Sequence, residues 1–237
     1  MTQSEWLKIG SKWKTTERKI YVLFPALDSL MGKISYKSIL DAGCGDGVFV
    51  RRCKEKGAKA IGIDISPNTI KACKLADPEG DYRVMDIKTI SLKEHFDYVL
   101  SSFVLLSFGK KSEITKAIKS MRKVLNKNGR LIIAVPHPAF TDEDNSEHLS
   151  KSFPKGYSYS KKGTPILWTN KTNKNIHFTD FHWMIEDYVE CINKAGLVIE
   201  NILEPLPLPI MRKKDPKIYE IWQKYPSVFI FSCKIDS

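Results

Sequence analysis

The run Ser38-Ile39-Leu40-Asp41-Ala42-Gly43-Cys44-Gly45-Asp46-Gly47 constrains this chain more than any other segment. An apolar strand passes straight into glycines at every second position, and a helical pattern follows from Val48 to Gly57. Glycine lacks a Cβ and takes positive φ cheaply, so such a turn is tight and its backbone can lie against a ligand. The spacing is G-x-G-x-G, not the G-x-G-x-x-G that seats a pyrophosphate on a helix N-terminus. Asp41 and Asp46 put negative charge into the loop, which argues against a pyrophosphate and suits a cationic ligand.

The rhythm set by this unit continues downstream. Lys59 to Ile65, Tyr82 to Met85, Phe96 to Ser101 and Arg130 to Val135 read as further strands. Helices alternate with them: one opens on Ser66-Pro67-Asn68 and runs to about Leu75, another runs from about Ser112 to Leu125 and stops at Asn126-Lys127-Asn128-Gly129. Strands and helices at this spacing predict βαβ units and a mostly parallel sheet covered on both faces. Residues 5 to 31 carry apolar side chains at three- and four-residue spacing and read as helical material ahead of the sheet. Residues 140 to 180 break the alternation; they are polar and poor in aliphatics, and we expect an irregular insertion serving as a lid or binding loop. A helix from Ile185 to Ala195, a strand from Leu197 to Leu203, an extended Glu204–Pro209 segment and a closing strand from Ser227 to Ile235 complete the chain.

Two further acids fall where the loop's ligand would extend. Asp64 ends the second strand, at the place where such folds grip a ribose diol, and a carboxylate accepts from both hydroxyls at once. Asp86 ends the third strand on the same carboxyl edge and can accept from an adenine amino group. With these acids in place, the chain resembles the class I S-adenosylmethionine-dependent methyltransferases, whose first motif reads D/E-x-G-x-G-x-G. The resemblance covers about residues 36 to 136 and includes the Phe96-Asp97-Tyr98-Val99-Leu100 strand and the Val124–Leu131 turn. It implies an α/β, Rossmann-like, seven-stranded and mostly parallel sheet with helices on both faces and an antiparallel last strand. A helical cap over residues 1–35, a cofactor-binding core over 36–136, an insertion or lid over 137–183 and a C-terminal part over 184–237 then form a single domain. The family implies S-adenosylmethionine as cofactor and S-adenosylhomocysteine as product. By the same analogy Gly43, Gly45 and Gly47 floor the cofactor, Asp64 holds the ribose, and Met85 and Asp86 flank the adenine. Asp41, Cys44, Ile65 and Ser101 join the cofactor-binding set. Arg18 is a candidate for the cofactor carboxylate, with Trp6, Trp13 and Tyr21 as lid aromatics.

The acceptor is less constrained. The loop after the fourth strand reads Ser101-Ser102-Phe103-Val104-Leu105 and lacks the N/D-P-P-Y tetrad that holds planar amino groups in nucleic-acid adenine and glutamine amide methyltransferases. Pro136-His137-Pro138 and Phe181-His182-Trp183 resemble a bacterial branch that methylates small molecules, and they make His137 and His182 the catalytic candidates, with His177 a weaker third. Acids and histidines are too dispersed for a metal site, so we expect metal-free transfer to an N or O atom of a small molecule. An RNA methyltransferase, a non-catalytic cofactor-binding scaffold and an enzyme that cleaves or cyclises the cofactor's own side chain are the alternatives.

Composition enters mainly as exclusion. The 237 residues carry a net charge of +11, which would suit nucleic acid, but the lysines are scattered and read more simply as a solvated surface. Five dispersed cysteines with no C-x-x-C pair read as reduced thiols. No apolar run approaches the roughly 18 residues of a membrane span, and the N-terminus has no signal-like pattern, so a cytoplasmic protein is expected. Oligomeric state is not written in the sequence.

Overall fold

The computed structural model describes residues 15–236 except 142, 144, 145 and 147. A seven-stranded sheet organises it. The strands are β1 (Ser38–Ala42), β2 (Lys59–Asp64), β3 (Asp81–Val84), β4 (Phe96–Ser102), β5 (Leu125–Pro136), β9 (Leu197–Leu203) and β10 (Val228–Ile235), in the order β3-β2-β1-β4-β5-β10-β9. β1 pairs in parallel with both β2 and β4, whereas β10 is antiparallel to both of its neighbours, as the family resemblance implied.

Helices cover both faces, which explains why β5 is apolar without alternation from Leu131 to Val135. On one face α4 (Lys111–Arg122) and α5 (Ile185–Lys194) bring Ile114, Ile118, Met121, Tyr188 and Ile192 against Ile133, Val135 and Phe231. On the other face lie α1 (Phe24–Met31), α2 (Val48–Glu55), α3 (Pro67–Ala76) and α7 (Pro216–Lys224), which bury Leu27, Phe49, Ile70 and Trp222 against Leu100, Ile132 and Ile230. Local chemistry sets the boundaries. The Ser66 hydroxyl accepts from the Thr69 N–H at 3.3 Å with Pro67 in the first turn of α3, and Asp215 caps α7 through the Ile218 N–H at 3.0 Å.

Three features depart from the sequence reading. α4 ends at Arg122 and β5 starts at Leu125, because the Val124 carbonyl accepts from the Phe96 N–H at 2.9 Å and pairing begins there. The α7 helix was not anticipated; a four-residue helix, α6 (Met211–Lys214), precedes it. The insertion is not irregular: β6 (Leu149–Ser152), β7 (Thr164–Asn170) and β8 (His177–His182) form an antiparallel sheet with its own small core of Leu149, Ile166, Trp168 and Phe178. At the N-terminus, Lys19–Leu23 forms a π-helical turn leading into α1, while Trp6 and Trp13 lie outside the described residues.

Candidate active site

The order of the sheet reverses direction at β1 and β4: the chain leaves β1 for one face and β4 for the other, which opens a crevice at their carboxyl ends. The glycine turn fills the β1 side. Gly43, Gly45 and Gly47 have φ of 92°, 53° and 71°, all left-handed. At Gly43 a Cβ would come within 2.4 Å of Val104 Cγ2, so bareness there serves packing; at Gly45 it would project into open space, so bareness there serves close approach. The turn is pinned from β2, since the Gly43 and Cys44 N–H groups both donate to the Ile63 carbonyl, at 2.8 and 2.9 Å.

Asp64 couples this turn to the next helix. One carboxylate oxygen accepts from the Gly45 N–H at 3.2 Å and the other from the Ser66 N–H at 2.9 Å, and burial raises its pKa. Ile65 follows it directly. The Met85 N–H donates to the Asp64 carbonyl at 2.9 Å, which brings the end of β3 alongside; there Asp86 accepts from the Lys88 N–H at 2.9 Å. Asp41 is 3% exposed and its Oδ1 has no hydrogen-bond partner among the described residues. Burial pushes its pKa up to about 7, with Asp64 and Asp46 adding repulsion against a lowering from Lys19. Ser101, at the end of β4, is fully buried with its hydroxyl likewise unpartnered.

Three residues at this crevice were missed in the sequence. Lys19 is the cation whose field reaches both Asp41 and Asp64, and its ammonium sits 5.6 Å from the Phe103 ring centroid. Phe103 has φ of 59°, a conformation that costs a bulky residue about 1–3 kcal/mol. Thr15 donates its N–H and its hydroxyl to the Asp46 carboxylate, at 2.6 and 2.7 Å, which straps the N-terminal segment onto the glycine turn. Arg18 is buried, with its guanidinium 5.8 Å from the Trp222 ring. Of these three, only the aromatic after a strand end carried any sequence signal.

Residues 40–133 match the methyltransferase domain family. These residues form a class I S-adenosylmethionine-dependent methyltransferase domain. This methyltransferase is 25% identical, over 90% of its length and 87% of the relative's, to an uncharacterised Haemophilus influenzae protein. It is equally identical, over 72% of its length and 73% of the relative's, to an N-demethylindolmycin N-methyltransferase from Streptomyces griseus. Among solved structures, an S-adenosylmethionine-dependent methyltransferase from Mesorhizobium loti superposes with a TM-score of 0.65 at 19% identity, covering 96% of this chain and 99% of that one. The methyltransferase's own residues fit the family's cofactor. Gly45 offers an open cradle, Asp41 and Ser101 offer buried polar atoms without partners, and acids close the ends of β2 and β3.

Beyond β4 and β5 the same edge is roofed by the small sheet, over a cavity of about 30 Å³ walled by Leu106, Phe140, Trp168, Phe181, Trp183 and Tyr188. Trp168 Nε1 is buried there without a hydrogen-bond partner. His137 and His182 also line this cavity. His137 Nδ1 accepts from the Ala139 N–H at 3.2 Å and Nε2 meets Glu204 Oε1 at 2.6 Å, so both ring nitrogens are engaged in holding the turn after β5. His182 Nε2 donates to the Tyr159 carbonyl at 2.7 Å and Nδ1 faces the Tyr157 hydroxyl at 3.4 Å. His177 is exposed on β8. Among the described residues no cluster of three or more metal-ligating side chains occurs.

Proposed function

We propose that this methyltransferase transfers the methyl group of S-adenosylmethionine to an N or O atom of a small molecule lodged beneath β6–β8, releasing S-adenosylhomocysteine. The observation that carries the reading is the crevice built of bare glycine and acids; the aromatic-walled gap beside it, with room for about one water molecule, must widen to admit an acceptor. When bound, the cofactor supplies an electrophilic methyl on a sulfonium, displaced in line by the acceptor. The protein's part is alignment and exclusion of water. Asp64 accepts from the ribose hydroxyls while its backbone donors hold it in place, and Asp86 accepts from the adenine amino group. Asp41, once ionised, offsets the cofactor's positive charge, and Lys19 serves its carboxylate. Phe103 and Val104 close the crevice from the β4 side. Where the acceptor must lose a proton, His182 is the candidate residue at the cavity wall to take it; His137 positions the Pro136–Phe140 turn. The nitrogen acceptor named for the Streptomyces relative supports a small heterocycle or amine over RNA. Five buried free cysteines and the lack, among the described residues, of a helix able to cross a membrane support a reducing, cytoplasmic setting.

Thermal unfolding with and without S-adenosylhomocysteine, beside Asp64→Ala, tests the cofactor half. At 100 times the dissociation constant a ligand adds about 2.7 kcal/mol, which for a domain of this size raises the midpoint by roughly 5–10 °C. We expect that rise in the wild type and none in Asp64→Ala; no rise in the wild type sinks the reading. Mass analysis of turned-over cofactor then separates transfer, which yields S-adenosylhomocysteine, from attack on the cofactor's own side chain, which yields methylthioadenosine.

A further inference from the structure

Beneath the floor of the crevice, two thiols from different elements meet. Cys44 lies in the glycine turn and Cys73 in the middle of α3, and folding carries the two side chains to the same point beneath the turn. Both sulfurs also converge on one carbonyl, that of Gly45: Cys73 Sγ lies 3.1 Å from it and Cys44 Sγ 3.9 Å. Two neighbouring glycines make room for them. A Cβ on Gly47 would come within 3.1 Å of Cys73 Sγ, and one on Gly62 within 3.0 Å of Cys44 Sγ. The sequence reading treated the cysteines as dispersed, and folding brings these two together.

Resting on the reading of this crevice as the cofactor site, we propose that Cys44 and Cys73 form a reversible disulfide that switches off cofactor binding. A disulfide requires the two sulfurs, now both against the Gly45 carbonyl, to close to about 2.05 Å. α3 is a capped helix packed on the sheet, so the glycine turn is the element that gives way. Closing the bond pulls Cys44 toward α3 and carries the neighbouring Gly43 and Gly45 with it. The Gly45 N–H then leaves Asp64, and the surface that must lie flat against the cofactor buckles.

The oxidant is a peroxide. Cys73, as thiolate, attacks one peroxide oxygen; the O–O bond breaks, hydroxide leaves and takes up a proton as water, and a sulfenic acid remains on Cys73. The Cys44 thiol then attacks that sulfur, and the sulfenic oxygen departs with the second proton as water. Two thiols give up two electrons and one peroxide is reduced to two waters. The order of attack agrees with the environments. The neighbouring Cys44 holds the Cys73 pKa below its ordinary value, whereas Cys44 itself is pushed up by Cys73 and by burial.

The test treats the full-length, ligand-free protein with hydrogen peroxide, maps disulfide-linked peptides by mass spectrometry, and measures S-adenosylhomocysteine affinity by calorimetry before oxidation, after it, and after dithiothreitol. We expect a product lighter by two hydrogens, a peptide linking Cys44 to Cys73, affinity weaker by roughly tenfold or more, equivalent to about 1.4 kcal/mol, and recovery on reduction. Cys73→Ser should bind like the reduced wild type and lose the response to peroxide; the wild-type map stands even where that variant folds poorly. Over-oxidation of single cysteines without the link, a link elsewhere, or a linked protein that binds as tightly as the reduced one each overturns the proposal. Failure of the reduced protein to bind overturns the cofactor reading itself, whatever the peptide map contains, and so the two failures are told apart.

Discussion

Asp41 is held in a state that its own burial opposes. Its carboxyl has no partner on Oδ1 and a pKa raised from 3.8 to about 7. An acid whose folded-state pKa lies above its unfolded value favours the fold fully below the unfolded pKa, and that contribution is lost as pH rises through the folded one. Ligand-free protein should therefore lose up to about 4 kcal/mol of stability between roughly pH 4 and 7 from this residue alone, at 1.36 kcal/mol per unit. Urea titrations across that range should show the decline in the wild type and a flatter profile in Asp41→Asn; parallel profiles would mean that Asp41 finds relief elsewhere. The same residue explains how a destabilising acid can be useful, since a cationic ligand restores the charged form. Gly43 makes the complementary point about shape. Ala at this position meets both left-handed φ and Val104 at 2.4 Å, so Gly43→Ala should cost about 2–4 kcal/mol, read as a lower urea midpoint with an unchanged slope.

Among the elements, what could be read in the sequence was whatever periodicity and turn chemistry both specify. The β1 strand, the glycine turn and α2 carry three concordant signals, and Asp64 and Asp86 follow from their places at strand ends. The insertion was misread because its outward faces are polar. Leu149 on β6, Ile166 and Trp168 on β7 and Phe178 on β8 form its core, and against the surrounding Ser, Lys, Thr and Asn this alternation is faint. The α7 helix had its signal in Asp215-Pro216 ahead of Ile218, Ile221 and Trp222, but it followed a proline-rich stretch that masked it. Lys19 and the Cys44–Cys73 contact were not legible, since both depend on tertiary proximity alone. The small sheet supplies its own core and meets the main body through Phe181 at Gly109, through Lys162 paired with Glu186 and Asp187, and through the Ile185 N–H donated to the Tyr159 hydroxyl at 3.4 Å. Replacing residues 149–182 by a short Gly/Ser linker should hence leave S-adenosylhomocysteine affinity within about threefold of the parent, while acceptor turnover disappears. Loss of cofactor affinity in calorimetry would show that the roof also supports the crevice.

For the molecule as a whole, the +11 charge invites a nucleic-acid partner, and its distribution speaks against one. Lys54, Arg83, Lys88, Lys111 and Arg130 are engaged with carboxylates, and the remaining excess is scattered along the chain without a long continuous run of cations. A protein that follows a phosphate backbone loses affinity with a slope of about −0.9 per phosphate in log–log salt plots. Binding to bulk tRNA should be weak, with a slope near that of only one or two contacts; a steep slope with tight binding at physiological salt would move the acceptor from metabolite to RNA. The placement of the three-stranded sheet has a further consequence on the timescale of descent. Chain enters it past β5 and leaves it ahead of α5, both anchored in the main sheet's core, so one such module can be exchanged for another without disturbing what lies below. Lineages built on this plan would diversify in what they modify long before they diverge in how they hold the donor.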